Sequence, residues 1–203
     1  LFLYSRNTYL DQGFKFPNDT LINDISIFLK DRFKYYLKEK NIRHDIVEAS
    51  INIFDINKIS LIFQKSKSLN KVINRQIGND IVSSYKRAFN ILQSETKDLD
   101  NDLSNTTDPT IFKEEFEKNL LKKINELKKY FSEISKDENF DETLLLLSSA
   151  KKEIFDFFDN VKVNDDSDFV KKNRLELINI LCKTFENFID FHLIKDINEQ
   201  TNS

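Results

Sequence analysis

The segment Ser84-Tyr85-Lys86-Arg87-Ala88-Phe89-Asn90 sets two long cations and an amide beside aromatic rings. At helical steps Lys86 and Asn90 share one flank, Arg87 lies opposite the apolar stripe, and Tyr85 faces inward. Cations neutralise phosphates and an asparagine amide reads base edges, the combination that recognition of single-stranded RNA requires. Lys86 and Arg87 are the expected phosphate contacts, and Asn90 or His44 the expected contact to an unstacked base. Lys34 and Arg43 are their cationic neighbours, and Tyr35 is a ring on which a base can stack. A solvated helix face is the plain alternative for the same residues.

Other chemistries lack their groups. The two glycines, Gly13 and Gly78, stand alone, so no glycine-rich phosphate loop forms. His44 and His192 lie far apart without an H-E-x-x-H pattern. Asp165, Asp166 and Asp168 resemble a helix cap more than a calcium loop, which needs a glycine and a terminal Glu. Cys182, amid Ile180, Leu181 and Phe185, reads as a small core residue. No catalytic residue and no metal site are expected in these residues.

Two further arginines fall inside apolar stripes. Arg32 sits between Leu21, Ile25, Phe28 and Tyr36, and Arg174 sits within the arc of Leu177, Leu181, Phe185 and Phe188. A buried guanidinium needs a partner. The expectation is a structural bridge from Arg32 to Asp45 or Glu48, and from Arg174 to Asp156 or Asp159.

The elements that must carry these groups are helical. With 203 residues, 39% hydrophobic, only 2 Gly and 2 Pro, the chain can bury a core but cannot supply the turns of a strand-rich fold. One cysteine excludes a disulfide framework and points to the cytoplasm. No stretch is apolar enough to span a membrane, and without an initiating Met the chain is expected to be a piece of something longer. Charge is uneven: residues 1–94 hold 15 Lys and Arg against 9 Asp and Glu, whereas the remainder holds 16 against 25. A polyanion therefore prefers the amino-terminal half.

Periodicity predicts a bundle of about six to eight helices. Residues 1–13 read as the end of a truncated helix closed by Gly13, and residues 14–198 as one helical domain. Helix starts are expected after Asn18-Asp19-Thr20, at His44-Asp45, after Asp55, at Gly78-Asn79-Asp80, at Asp108-Pro109, near Asp141, and at Asp165-Asp166-Ser167-Asp168. The helix from Asp141 is expected to run on toward Val161. An acidic loop is expected at about 94–109 and a disordered tail at 199–203.

Several blocks resemble one family. Asp31-Arg32-Phe33-Lys34-Tyr35-Tyr36-Leu37 and Arg43-His44-Asp45-Ile46-Val47-Glu48-Ala49 are similar to the carboxy-terminal anticodon-binding region of bacterial glycyl-tRNA synthetase beta subunits. The likeness returns at Tyr85–Leu92, at Phe157-Phe158-Asp159-Asn160-Val161-Lys162-Val163, at Asn173-Arg174-Leu175-Glu176-Leu177 and at Asp190-Phe191, in order over about residues 20–193. The family usually shows Val-Met-Val-Met where this chain has Val161-Lys162-Val163-Asn164. The resemblance implies an all-α, DALR-type domain that binds the anticodon of a glycine tRNA and holds no cofactor itself. It implies that ATP and magnesium are bound by an alpha subunit, which activates glycine, and that two alpha and two beta subunits assemble together. Partners would then be that tRNA, the alpha subunit and other domains of the beta subunit. Two other readings fit the residues: a helical protein-interaction scaffold within a larger synthetase, and the anticodon domain of a related arginyl or cysteinyl enzyme.

Overall fold

Apolar residues at three- and four-residue spacing build nine α-helices in the computed structural model, which describes residues 2–15, 20–96, 103–133 and 139–195. They are α1 (Phe2–Asp11), α2 (Leu21–Glu39), α3 (His44–Asn52), α4 (Ile59–Val72), α5 (Gln76–Thr96), α6 (Glu115–Glu133), α7 (Phe140–Ser149), α8 (Lys151–Asn160) and α9 (Asp168–Glu186). Short 3-10 turns stand at Pro109–Ile111 and Phe191–Leu193. Among the described residues there is no strand, and no helix is long and apolar enough to cross a membrane. Asn18 and Asp19, part of the acidic loop (97–102) and the tail from 196 lie outside the described residues.

The fold is organised around α5 and α9. α5 packs on α9, α7, α8 and the Phe191–Leu193 turn, and α6 bridges α8 and α9. Tyr85, Phe157, Phe185, Phe188 and Phe191 are fully buried and form the aromatic centre of a core that runs from Phe33 to Ile194. Burying side chains of this size stabilises the fold by about 1.5–3 kcal/mol each. Cys182 lies in that core, and burial pushes its thiol up to about 12.

Helix ends follow local chemistry. Gly13 takes φ +86°, closing α1 as expected. Asn41 takes φ 56°, so that its N–H and that of Ile42 reach the carbonyls of Lys38 and Leu37 and end α2. Glu117, in the first turn of α6, folds back to accept the N–H groups of Lys113 at 2.8 Å and Glu114 at 2.7 Å.

Three boundaries differ from the sequence reading. Gly78 does not break the chain: it lies inside α5, which begins at Gln76, where the helix crosses closely over the end of α4. Asp108-Pro109 opens only the short 3-10 turn, with Asp108 accepting the N–H of Thr110, and α6 starts six residues later at Glu115. The helix expected from Asp141 to Val161 is two helices, because the backbone bends at Ala150. That split is why the count exceeds eight.

The two expected ion pairs are corrected. Arg32 is exposed and lies over the Phe28 ring at 5.3 Å, with no bond to Asp45 or Glu48 among the described residues. The apolar stripe misled because Phe28 and Tyr36, two of the residues that defined it, are themselves exposed, and α2 buries only the ridge of Phe33 and Leu37. Arg174 is buried and paired, but with neither Asp156 nor Asp159. Its Nε donates to Glu117 at 2.9 Å, and its Nη1 donates to Asp165 at 3.0 Å and to the Lys162 carbonyl at 2.8 Å. Asp159 faces α5 instead. Phe169, assigned to the buried stripe of α9, points outward at 81% exposure.

Burial accounts for the family departure at Val161-Lys162-Val163-Asn164. Val161 and Val163 are buried, whereas Lys162 and Asn164 are exposed, so the polar replacements fall on the solvent side.

Candidate nucleic-acid interface

Two groups of side chains come from the residues singled out in the sequence. On α2 and α3, Lys34 and His44 converge on Glu48: Lys34 Nζ is 2.8 Å and His44 Nε2 3.6 Å from the same carboxylate oxygen. The Lys34 hydrogen bond holds the Glu48 carboxyl below its ordinary range. His44 is exposed, and Tyr35 beside Lys34 is 64% exposed.

Arg43 belongs to the frame. It donates bidentately to Asp45 at 2.7 and 2.6 Å, to Asn74 at 3.1 Å and to the Lys195 carbonyl at 3.0 Å. Asp45 is buried and also accepts the Lys195 N–H at 2.8 Å. This closer arginine, two residues upstream, occupies the carboxylate that Arg32 was expected to reach. The arrangement ties the start of α3 to the chain after α9.

On α5, Tyr85 is buried, Lys86 is half-buried, and Asn90 is exposed with no side-chain hydrogen bond among the described residues. Arg87 does not face solvent opposite the stripe. α8 covers that side: the guanidinium donates to Asp159 at 2.6 Å and sits over the rings of Phe155 at 4.7 Å and Phe158 at 5.4 Å. Stacked and paired, it fastens α5 to α8.

A feature that local reading missed adjoins this edge. Asn52 and Ile53 at the end of α3, Tyr85 and Phe89 of α5, and Glu186, Asp190 and His192 at and beyond the end of α9 line a cavity of about 370 Å³. His192 lies against Phe89 with ring centroids 4.5 Å apart. Tyr85 donates its hydroxyl to Glu186 at 2.7 Å, and burial and that contact raise the phenol above its ordinary range. Asn52 donates to Asp190 at 2.5 Å across 138 positions. Three distant segments contribute, so no short motif announces the cavity; only the Phe89 periodicity and the Asp190-Phe191 block hinted at it.

The class defined by these features is an all-α bundle with a central helix that carries one polar edge. The model of the DALR anticodon binding domain matches residues 81–198, from α5 to beyond α9. The chain belongs to this family. It is 30% identical over 179 residues to the glycine–tRNA ligase beta subunit of Rickettsia typhi, covering 88% of this chain and 25% of that protein. The subunit of Rickettsia africae is 31% identical over 190 residues, with 93% and 26% covered. That of Paracoccus denitrificans is 25% identical over 173 residues, with 85% and 25% covered. The chain thus spans about a quarter of the length of these relatives.

Proposed function

We propose that this chain binds the anticodon arm of a glycine tRNA and so supports attachment of glycine to that tRNA, as part of a glycine–tRNA ligase beta subunit. The observation that carries the reading is the family match over α5 to α9, together with the Lys86 and Asn90 edge of α5 inside the matched span. Lys86 holds a phosphate and Asn90 contacts an unstacked base, with Lys34, Tyr35 and His44 as a second contact group. Arg43 and Arg87 support the frame. On this reading the protein works in the cytoplasm beside an alpha subunit, which binds ATP and magnesium and carries the chemical step.

Filter binding of a glycine tRNA transcript over a salt series tests it. The expected result is tighter binding to that transcript than to one with a replaced anticodon. Lys86→Ala weakens binding and lowers the salt slope by about one unit, the signature of one lost phosphate contact. Arg87→Ala lowers stability and leaves the slope unchanged. Equal affinity for both transcripts, with the slope unchanged in Lys86→Ala, would refute the reading.

A second reading is favoured by one observation: α2 exposes Ile27 at 53% and Phe28 at 56%, large apolar side chains suited to a protein contact. On that reading α2 docks another part of the beta subunit, and deletion of those two side chains alters assembly without altering the salt slope of tRNA binding.

A further inference from the structure

We infer that the cavity between α3, α5 and the Phe191–Leu193 turn is a subsite for one unstacked nucleobase bearing an exocyclic amino group. This rests on the RNA-binding reading above and adds where, and with what selectivity, a base is held.

The cavity has the size and composition of a small-ligand site. Its volume of about 370 Å³ falls within the usual range, which starts at about 300 Å³. One wall is aromatic and apolar, made by Phe89, Tyr85 and Ile53. The exposed imidazole of His192 packs on the Phe89 ring with centroids 4.5 Å apart, which leaves no gap between them, so a base stacks on the outer face of this pair. An aromatic face open to solvent is a usual platform for an extruded base.

The polar groups decide which atoms enter. Glu186 and Asp190 repel a phosphate, so the cavity suits a base and not the backbone. Ionised carboxylates only accept hydrogen bonds. Glu186 Oε1 accepts the Tyr85 hydroxyl, while its other oxygen receives no hydrogen bond among the described residues. Asp190 is oriented by Asn52 and by the N–H of His192 at 3.1 Å. An acceptor held in this way matches the N4 amino group of cytosine and opposes the O4 carbonyl of uracil. The proposed phosphate contact Lys86 and base contact Asn90 lie close by, flanking Phe89 on α5 one turn before it and one residue after it.

The test uses the full chain and glycine tRNA transcripts in which each anticodon-loop cytosine is replaced in turn by uracil. At one position the replacement is expected to weaken binding about ten-fold in the parent chain. In Glu186→Gln, whose amide both donates and accepts, that ratio falls to about two-fold. His192→Ala, at an exposed side chain, weakens the unaltered transcript about five-fold through lost stacking and leaves the salt slope unchanged. The subsite is overturned if the parent chain binds the transcripts yet no position discriminates. It is equally overturned if the discrimination survives in Glu186→Gln and the affinity survives in His192→Ala. Absence of tRNA binding by the parent chain is a different outcome, which defeats the RNA reading itself and the subsite with it.

Discussion

Replacing Arg174 with methionine is the most direct probe of what holds the matched helices together. The guanidinium and the Glu117 carboxylate are 3% and 1% exposed, so water does not compensate for the loss of either. Arg174→Met removes the donors to Glu117, Asp165 and the Lys162 carbonyl and leaves the Glu117 charge with only two backbone N–H groups. Breaking one side of a buried pair costs about 3–5 kcal/mol. For a chain of this length that corresponds to roughly 6–20 °C in melting temperature. Glu117→Gln keeps an acceptor and leaves Arg174 paired with Asp165, so its cost is smaller, about 1.5–3 kcal/mol. The double variant strands no charge and should fall short of the summed costs by about 1–3 kcal/mol. Urea midpoints and calorimetric melting of all four proteins measure the cycle. An Arg174→Met protein melting within about 2 °C of the parent, or strict additivity in the double variant, would refute the claim that this pair anchors α6 to α9.

Gly78→Ala should destabilise, although a mid-helix glycine ordinarily gains about 0.5–1 kcal/mol from that change. A Cβ there would lie 2.4 Å from the Ile73 Cα and 2.5 Å from its carbonyl oxygen, so α4 and α5 must separate; thermal melting is expected to report a loss of about 1–3 kcal/mol. Asp165 is held down at about 2 by the Ser167 N–H first and by Lys113 next. Its contribution is complete above its unfolded value, near 3.8, and is lost as pH falls from there toward 2. The stability gap between the parent and Asp165→Asn should therefore be constant at neutral pH and close between pH 4 and 2 in urea titrations. Cys182, buried and raised to about 12, should react with a thiol reagent only at the rate of unfolding.

Much of this architecture was legible because period alone specifies which side of a helix meets the core. Leu120, Ile124 and Leu127 recur on one side of α6, and each is fully buried. Leu37, Tyr85, Leu177 and Phe185 behave likewise. Where the reading went astray, the deciding contact was distant. Glycine ordinarily interrupts a helix, yet Gly78 is required by the approach of α4 to α5 rather than by a turn. Nothing local marks Ala150 as a bend. Arg174 chose Glu117, 57 positions away, over carboxylates of the neighbouring helix. Arg87 and Arg43 have the composition of surface cations, and only the positions of α8 and of residue 195 reveal that they act within the frame.

The family span begins at residue 81, but the packing that shapes the cavity does not. Ile46, Val47 and Ala49 of α3 are wholly buried, and Asn52 and Ile53 at its end form one wall of the cavity. Three polar links bind this region to the segment after α9: Asn52 to Asp190, Arg43 to the Lys195 carbonyl, and Asp45 to the Lys195 N–H. A fourth runs from Lys65 of α4 to the Asn187 carbonyl at 2.8 Å. α3 carries His44, and its Glu48 holds Lys34 of α2, so both outer contact groups are fixed to the same frame as Phe89 and Asn90. Under the proposed function, an RNA touching Lys34 and His44 meets side chains already held by Glu48, and little of its binding energy is lost to ordering them. On that proposal the amino-terminal helices share in recognition with α5, even though the family match begins at residue 81.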